Sequence, residues 1–120
     1  MRPALTFNPV RQFVYVNAAG LKLLAETDYA LFLISPGEKR LIIYPCNANA
    51  RDAVRLRSCG QNIRKPRYIR FLDDFSDKIL ELMKWQSDCI YRLQGGLTMK
   101  SNDKFLSFDL TSAEVFSYVV

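Results

Sequence analysis

Short runs in which apolar and polar residues alternate recur along almost the whole chain, and turn-forming Pro, Gly, Asn or Asp residues punctuate them. A period of two puts successive side chains on opposite faces, which is the pattern of half-buried β-strands. Leu5-Thr6-Phe7, Phe13-Val14-Tyr15-Val16, Tyr29 to Ser35, Arg40 to Tyr44, Val54-Arg55-Leu56-Arg57, Tyr68-Ile69-Arg70-Phe71, Ile90 to Met99 and Phe105 to Leu110 all read this way. Helical spacing interrupts the alternation in two places. Asn17 is placed to cap a short helix from Ala18 to about Ala25, with Leu21 and Leu24 facing inward. A second helix, capped by Asp73 or Asp74, runs to about Trp85 and carries Phe75, Ile79, Leu82 and Met83 as its apolar stripe. Turns are expected at Asn8-Pro9, at Pro36-Gly37, where Pro sets one dihedral and Gly permits the other, and at Ser101-Asn102-Asp103.

The elements therefore run β-β-α-β-β twice, over halves of about 1–48 and 52–111, with a tail over 111–120. A unit that small cannot bury both faces of its strands alone. Two copies must share one core, most simply by exchanging hairpins about a pseudo-two-fold axis. The expected fold class is α+β, mainly β: a swapped-hairpin barrel with short helices. A chain of 120 residues with 49% hydrophobic content buries enough surface to fold without disulfides or a structural metal.

Charge is concentrated. Between Arg51 and Arg70 lie Arg51, Arg55, Arg57, Arg64, Lys65, Arg67 and Arg70 against the single acid Asp52, a net of +6 in a chain whose total is +5. The remainder sums to −1. Such a block attracts polyanions and releases their condensed counterions on binding. Six of its cations are Arg, which grips phosphate bidentately and forks onto guanine in the major groove. If the strands alternate, Val54, Leu56, Ile69 and Phe71 point inward, and two neighbouring strands present Arg55, Arg57, Arg70 and Tyr68 on one outer surface. Arg64-Lys65-Pro66-Arg67 then forms a loop that tracks a nucleic-acid backbone. The alternative is a basic strip that docks on an acidic partner protein.

The strand ending Val14-Tyr15-Val16-Asn17, the short helix after it and the hairpin from Tyr29 to Pro45 resemble an AbrB/SpoVT-type unit, over residues 5 to 45. Two such units in one chain are similar to the MraZ-like arrangement. That resemblance implies a swapped-hairpin β-barrel and sequence-specific binding of double-stranded DNA in transcription regulation. Where MraZ-like units carry D-x-x-x-R, this chain has Asp52-Ala53-Val54-Arg55, one residue shorter, and Asn17-Ala18 replaces the usual Pro at the first strand-helix junction. The chain also resembles short mobile-element proteins labelled integrase, but it has no histidine, which the tyrosine-recombinase constellation needs.

The lack of His also removes the commonest general base and zinc ligand, so no enzyme activity and no catalytic residue is expected. Asp73, Asp77 and Glu81 fall on one face of the second helix, but first-turn acids more simply stabilise the helix dipole. No metal and no cofactor is expected. Cys46, Cys59 and Cys89 are widely spaced, as free thiols of a reducing compartment are. Of these, Cys59, among arginines, has the most favoured thiolate. Gly95-Gly96 reads as a bulge or strand break. The amino-terminal residues lack the apolar core of a signal segment and no apolar run is long enough to span a membrane, so a cytoplasmic address is expected. Thr111-Ser112-Ala113-Glu114 has capping-box spacing, and the apolar residues after it pack on the barrel or dock another copy or a partner protein.

Overall fold

Strands β1 (Ala4–Asn8) and β2 (Phe13–Val16) form the first hairpin of a structure, a computed structural model, that describes residues 2–24, 28–56, 67–70 and 74–117, with the backbone alone for residues 67, 68 and 70. The Asn8 side-chain oxygen accepts from Arg11 N at 3.1 Å and so closes the turn, an Asx device that explains a buried Asn at a strand end. Helix α1 (Ala18–Leu23) follows directly, and then comes the hairpin β3 (Tyr29–Ser35) and β4 (Arg40–Cys46). The second series is β5 (Val54–Arg55), β6 (Arg67–Arg70), helix α2 (Phe75–Met83), and the hairpin β7 (Cys89–Lys100) and β8 (Asp103–Asp109). A 3-10 turn (Leu110–Ser112) leads into β9 (Glu114–Ser117). The element order is the one that alternation predicts, with β9 added.

All pairings are antiparallel, and the strands make one curled, half-barrel sheet in the order β5-β3-β4-β8-β7-β1-β2-β6, with β9 on β7. Most of the order crosses between the series: β1 pairs β7, β3 pairs β5, β2 pairs β6 and β4 pairs β8. The concave face holds Leu5, Phe7, Val14, Leu41, Ile43, Leu93, Leu106 and Phe108, all essentially inaccessible to solvent. These are the in-facing positions of the period-two pattern. Burying large aliphatic and aromatic side chains of this kind stabilises the fold by roughly 1.5–3 kcal/mol each, before the entropy of ordering is charged against it.

Asn17 is the cap that its position suggests, and more. Its Oδ1 accepts from Gly20 N at 2.9 Å and from Ala4 N at 3.0 Å, while its Nδ2 donates to Arg2 O at 3.0 Å. One side chain thus closes the end of α1 and fastens it to the start of β1. At α2, Asp74 occupies the cap position without a side-chain capping hydrogen bond among the described residues, and Lys84 ends the helix in the left-handed region at φ 55°. Ile79 is fully buried beneath the helix, and Trp85 stacks on Tyr91 with ring centroids 4.0 Å apart and planes 7° apart. Tyr91 in turn accepts from Gln86 N at 2.8 Å and donates to Gln86 O at 3.0 Å, so a buried hydroxyl is satisfied twice.

Three local expectations are corrected. Gly95-Gly96 is neither bulge nor break, because β7 runs through both residues in register with β8. The need for glycine at position 95 is close approach: a Cβ there would lie 2.4 Å from Ser107 O and 2.5 Å from Phe108 Cδ1. In the β3–β4 turn the left-handed residue is Lys39, at φ 53°, not Gly37. Thr111 does not cap a helix. Asp109 caps the 3-10 turn by accepting from Thr111 N at 2.9 Å, and the β-branched and aromatic residues Val115 and Phe116 enter a strand. The two strands that carry the basic block are not hydrogen-bonded to each other among the described residues.

Candidate nucleic-acid interface

The block opens in a pair of successive turns after β4, where Ala50 N donates to Asn47 O and Ala53 N to Ala50 O. Arg51 is exposed there, beside Asp52, whose φ of 65° turns the chain back toward the sheet. Strand β5 is short but firmly seated. Val54 and Arg55 pair with Ala30 and Tyr29, Leu56 N donates to Asp28 O at 2.7 Å, and the Leu56 side chain is buried. Burial of Leu56 and partial burial of Val54 leave Arg55 exposed between them, as period-two alternation requires.

Arg57, Arg64 and Lys65 lie outside the described residues. Arg67 and Arg70 sit on β6, opposite Val16 and Phe13 of β2, and Ile69 is buried against Val14 as expected. β5 and β6 occupy the two ends of the strand order and are not hydrogen-bonded to each other among the described residues. β5 is two residues long and its partner edge is β3, whereas β6 extends the β1–β2 hairpin, and strand alternation carries no information about which edge a strand selects. The block therefore spans the connection between the two sheet ends.

Asp77 and Glu81 are exposed on α2, and Asp73 lies outside the described residues. Among the described residues no three His, Cys, Asp or Glu come together as a metal-binding group. Burial pushes the Cys46 thiol above its usual value. Burial does the same to Cys89, helped by the Asp88 carboxylate, so neither is an activated thiolate at neutral pH. Cys59 lies outside the described residues. Among the described residues no helix is long and apolar enough to cross a membrane.

A groove lies between α2 and β3, unannounced by any of the motifs above. Its signal was present in the apolar residues on both faces of β3, Phe32 and Ile34 on one and Leu33 on the other, a pattern that a strand with one wet face does not need. Compared with protein-family models, curated proteins and solved structures, the chain matches none.

Proposed function

We propose that this chain is a small DNA-binding protein, a transcriptional regulator, that grips double-stranded DNA with the Arg-rich segment from Arg51 to Arg70. The observation that carries the reading is the charge distribution: seven cations and one acid fall in that segment of a chain whose other residues sum to −1. Arg55 is exposed on β5, and Arg51 in the turn before it. Arg57, Arg64, Lys65, Arg67 and Arg70 complete the contact, with arginines on phosphates and base edges.

The fold underlying this reading is a swapped-hairpin, AbrB-like pair of halves within one chain. Strand pairing supports it. Exchanging β1 with β5, β2 with β6, β3 with β7 and β4 with β8 carries the β1–β7 pair onto β5–β3 and leaves β2–β6 and β4–β8 unchanged. The register agrees residue by residue. Leu5 opposite Leu93 goes to Val54 opposite Ala30, and Phe32 opposite Ile43 goes to Gly95 opposite Phe108. Leu41 opposite Phe108 goes to Leu106 opposite Ile43, which is the same ladder read from the other side. A β5–β6 pair, the counterpart of β1–β2, is the one member of the set not found among the described residues.

The test is anisotropy of a labelled duplex titrated with the full chain between 50 and 200 mM KCl. The logarithm of affinity falls against log salt with a slope of about −0.9 per phosphate neutralised, and Arg55→Ala with Arg57→Ala shallows that slope by about two. Arg92→Ala, an exposed arginine on β7 outside the block, serves as the control for loss of charge alone. An unchanged slope in the double variant, or an equal loss in the control, refutes the assignment. Absence of duplex binding at low salt favours a basic strip for an acidic partner protein.

A further inference from the structure

We propose that the groove between α2 and β3 is a binding site for a single-chain anionic amphiphile, a carboxylate or similar headgroup on an unbranched hydrocarbon tail. The groove encloses about 390 Å³, within the range of roughly 300–1,000 Å³ typical of small-molecule sites. Phe32, Ile34 and Pro36 form one wall, Phe75 and Leu82 the other, and Phe32 meets Phe75 edge-on at 6.2 Å. Among the described residues Lys78 is the one charged side chain in its lining.

Position on the helix explains how tail and headgroup are separated. Lys78 follows Phe75 by three residues and precedes Leu82 by four, so all three share one helical face. The methylene stem of a lysine lies along apolar surface while its ammonium stays in water. The result is an apolar floor with one cation at its open rim, complementary to an apolar chain ending in one negative charge. Duplex DNA offers it no apolar chain.

Two signatures separate this site from adventitious hydrophobic binding. The first is chain length: each methylene that leaves water for an apolar lining improves affinity about fourfold, so octanoate, decanoate and dodecanoate differ by about an order of magnitude per step. The second is headgroup sign. Removing a charge-assisted contact weakens binding by about tenfold or more, so dodecanoate binds the full chain at least that much more tightly than dodecyltrimethylammonium.

The experiment is calorimetric titration of the full chain with these compounds below their micellar concentrations. Expected are one site per chain, the chain-length progression, and a loss of about tenfold for dodecanoate but not for dodecanol in Lys78→Glu. Lys78 and Pro36 are both exposed, so Lys78→Glu and Pro36→Glu, which introduces a like charge into the groove wall, both leave the core untouched. Pro36→Glu weakens dodecanoate binding by about tenfold. Equal binding of the anion and the cation, unchanged binding in Pro36→Glu, or capture of an acidic amphipathic peptide in place of the fatty acids overturns the proposal. DNA binding by Lys78→Glu is read in parallel, so failure here is distinguishable from failure of the DNA-binding reading.

Discussion

Replacing Asn17 by alanine removes two acceptor contacts and one donor contact at once, and the structure sets the size of the loss. The bond to Gly20 N is an N-cap, whose removal costs about 1 kcal/mol. The bond to Ala4 N satisfies a backbone donor at a strand end whose residue is only 7% exposed, and leaving such a donor without a partner costs roughly 1–3 kcal/mol. The contact to Arg2 O is exposed and adds little. The expected destabilisation is therefore about 2–4 kcal/mol, a large share of the roughly 5–15 kcal/mol that holds a domain of this kind folded. Asn17→Asp keeps an oxygen for both donors and gives up only the exposed bond, so it stays within about 1 kcal/mol of the parent. Urea unfolding reports both values through the single tryptophan, because Trp85 is stacked on Tyr91 in the folded state and released on unfolding. If Asn17→Ala unfolds within about 0.5 kcal/mol of the parent, or if the aspartate is as damaging as the alanine, the reasoning from these bonds is wrong.

Gly95→Ala forces a methyl against the Ser107 carbonyl and the Phe108 ring, and overpacking of this kind costs about 1–3 kcal/mol. Gly96→Ala meets nothing within 4 Å and leaves the urea midpoint essentially unchanged or slightly raised, so an equal response of the two refutes the close-approach argument. Acid titration by carboxyl NMR finds Asp109 below its ordinary value because Thr111 donates to it through hydroxyl and backbone, with Arg40 assisting. A depressed carboxyl favours the folded state above the ordinary value of 3.8 and loses that contribution as pH falls through its folded value. Thr111→Val therefore raises the Asp109 pKa toward the ordinary value and weakens its share of the acid limb, and a titration curve identical to the parent's contradicts this.

Local chemistry was legible in the sequence, whereas partner choice was not. The alternation of Phe13 to Val16, the capping position of Asn17 and the burial of Leu21, Leu24 and Ile79 follow from spacing and side-chain type alone, and the structure has them. Thr111 misled because a capping-box spacing is short-range, while β9 exists through its ladder with Cys89 to Arg92 of β7, which lies elsewhere in the chain. Gly95 misled similarly. Its requirement is set by Phe108 across the strand pair, and nothing beside Gly95 in the sequence announces that ring. For the basic block, composition located the charge and alternation located Leu56 and Ile69 in the core, but the pairing of β5 with β3 and of β6 with β2 is a choice of edges that no local pattern encodes.

The interleaved strand order has a kinetic consequence. β1, the first strand, lies between β2 and β7, and β4 lies between β3 and β8, so the early residues have half their hydrogen-bonding partners near the far end of the chain. During synthesis the leading hairpins emerge with their concave faces uncovered and wait for β7 and β8 before that surface is shielded. Rates for such non-local topologies are slow, and the waiting species is open to capture by chaperones or by another nascent copy.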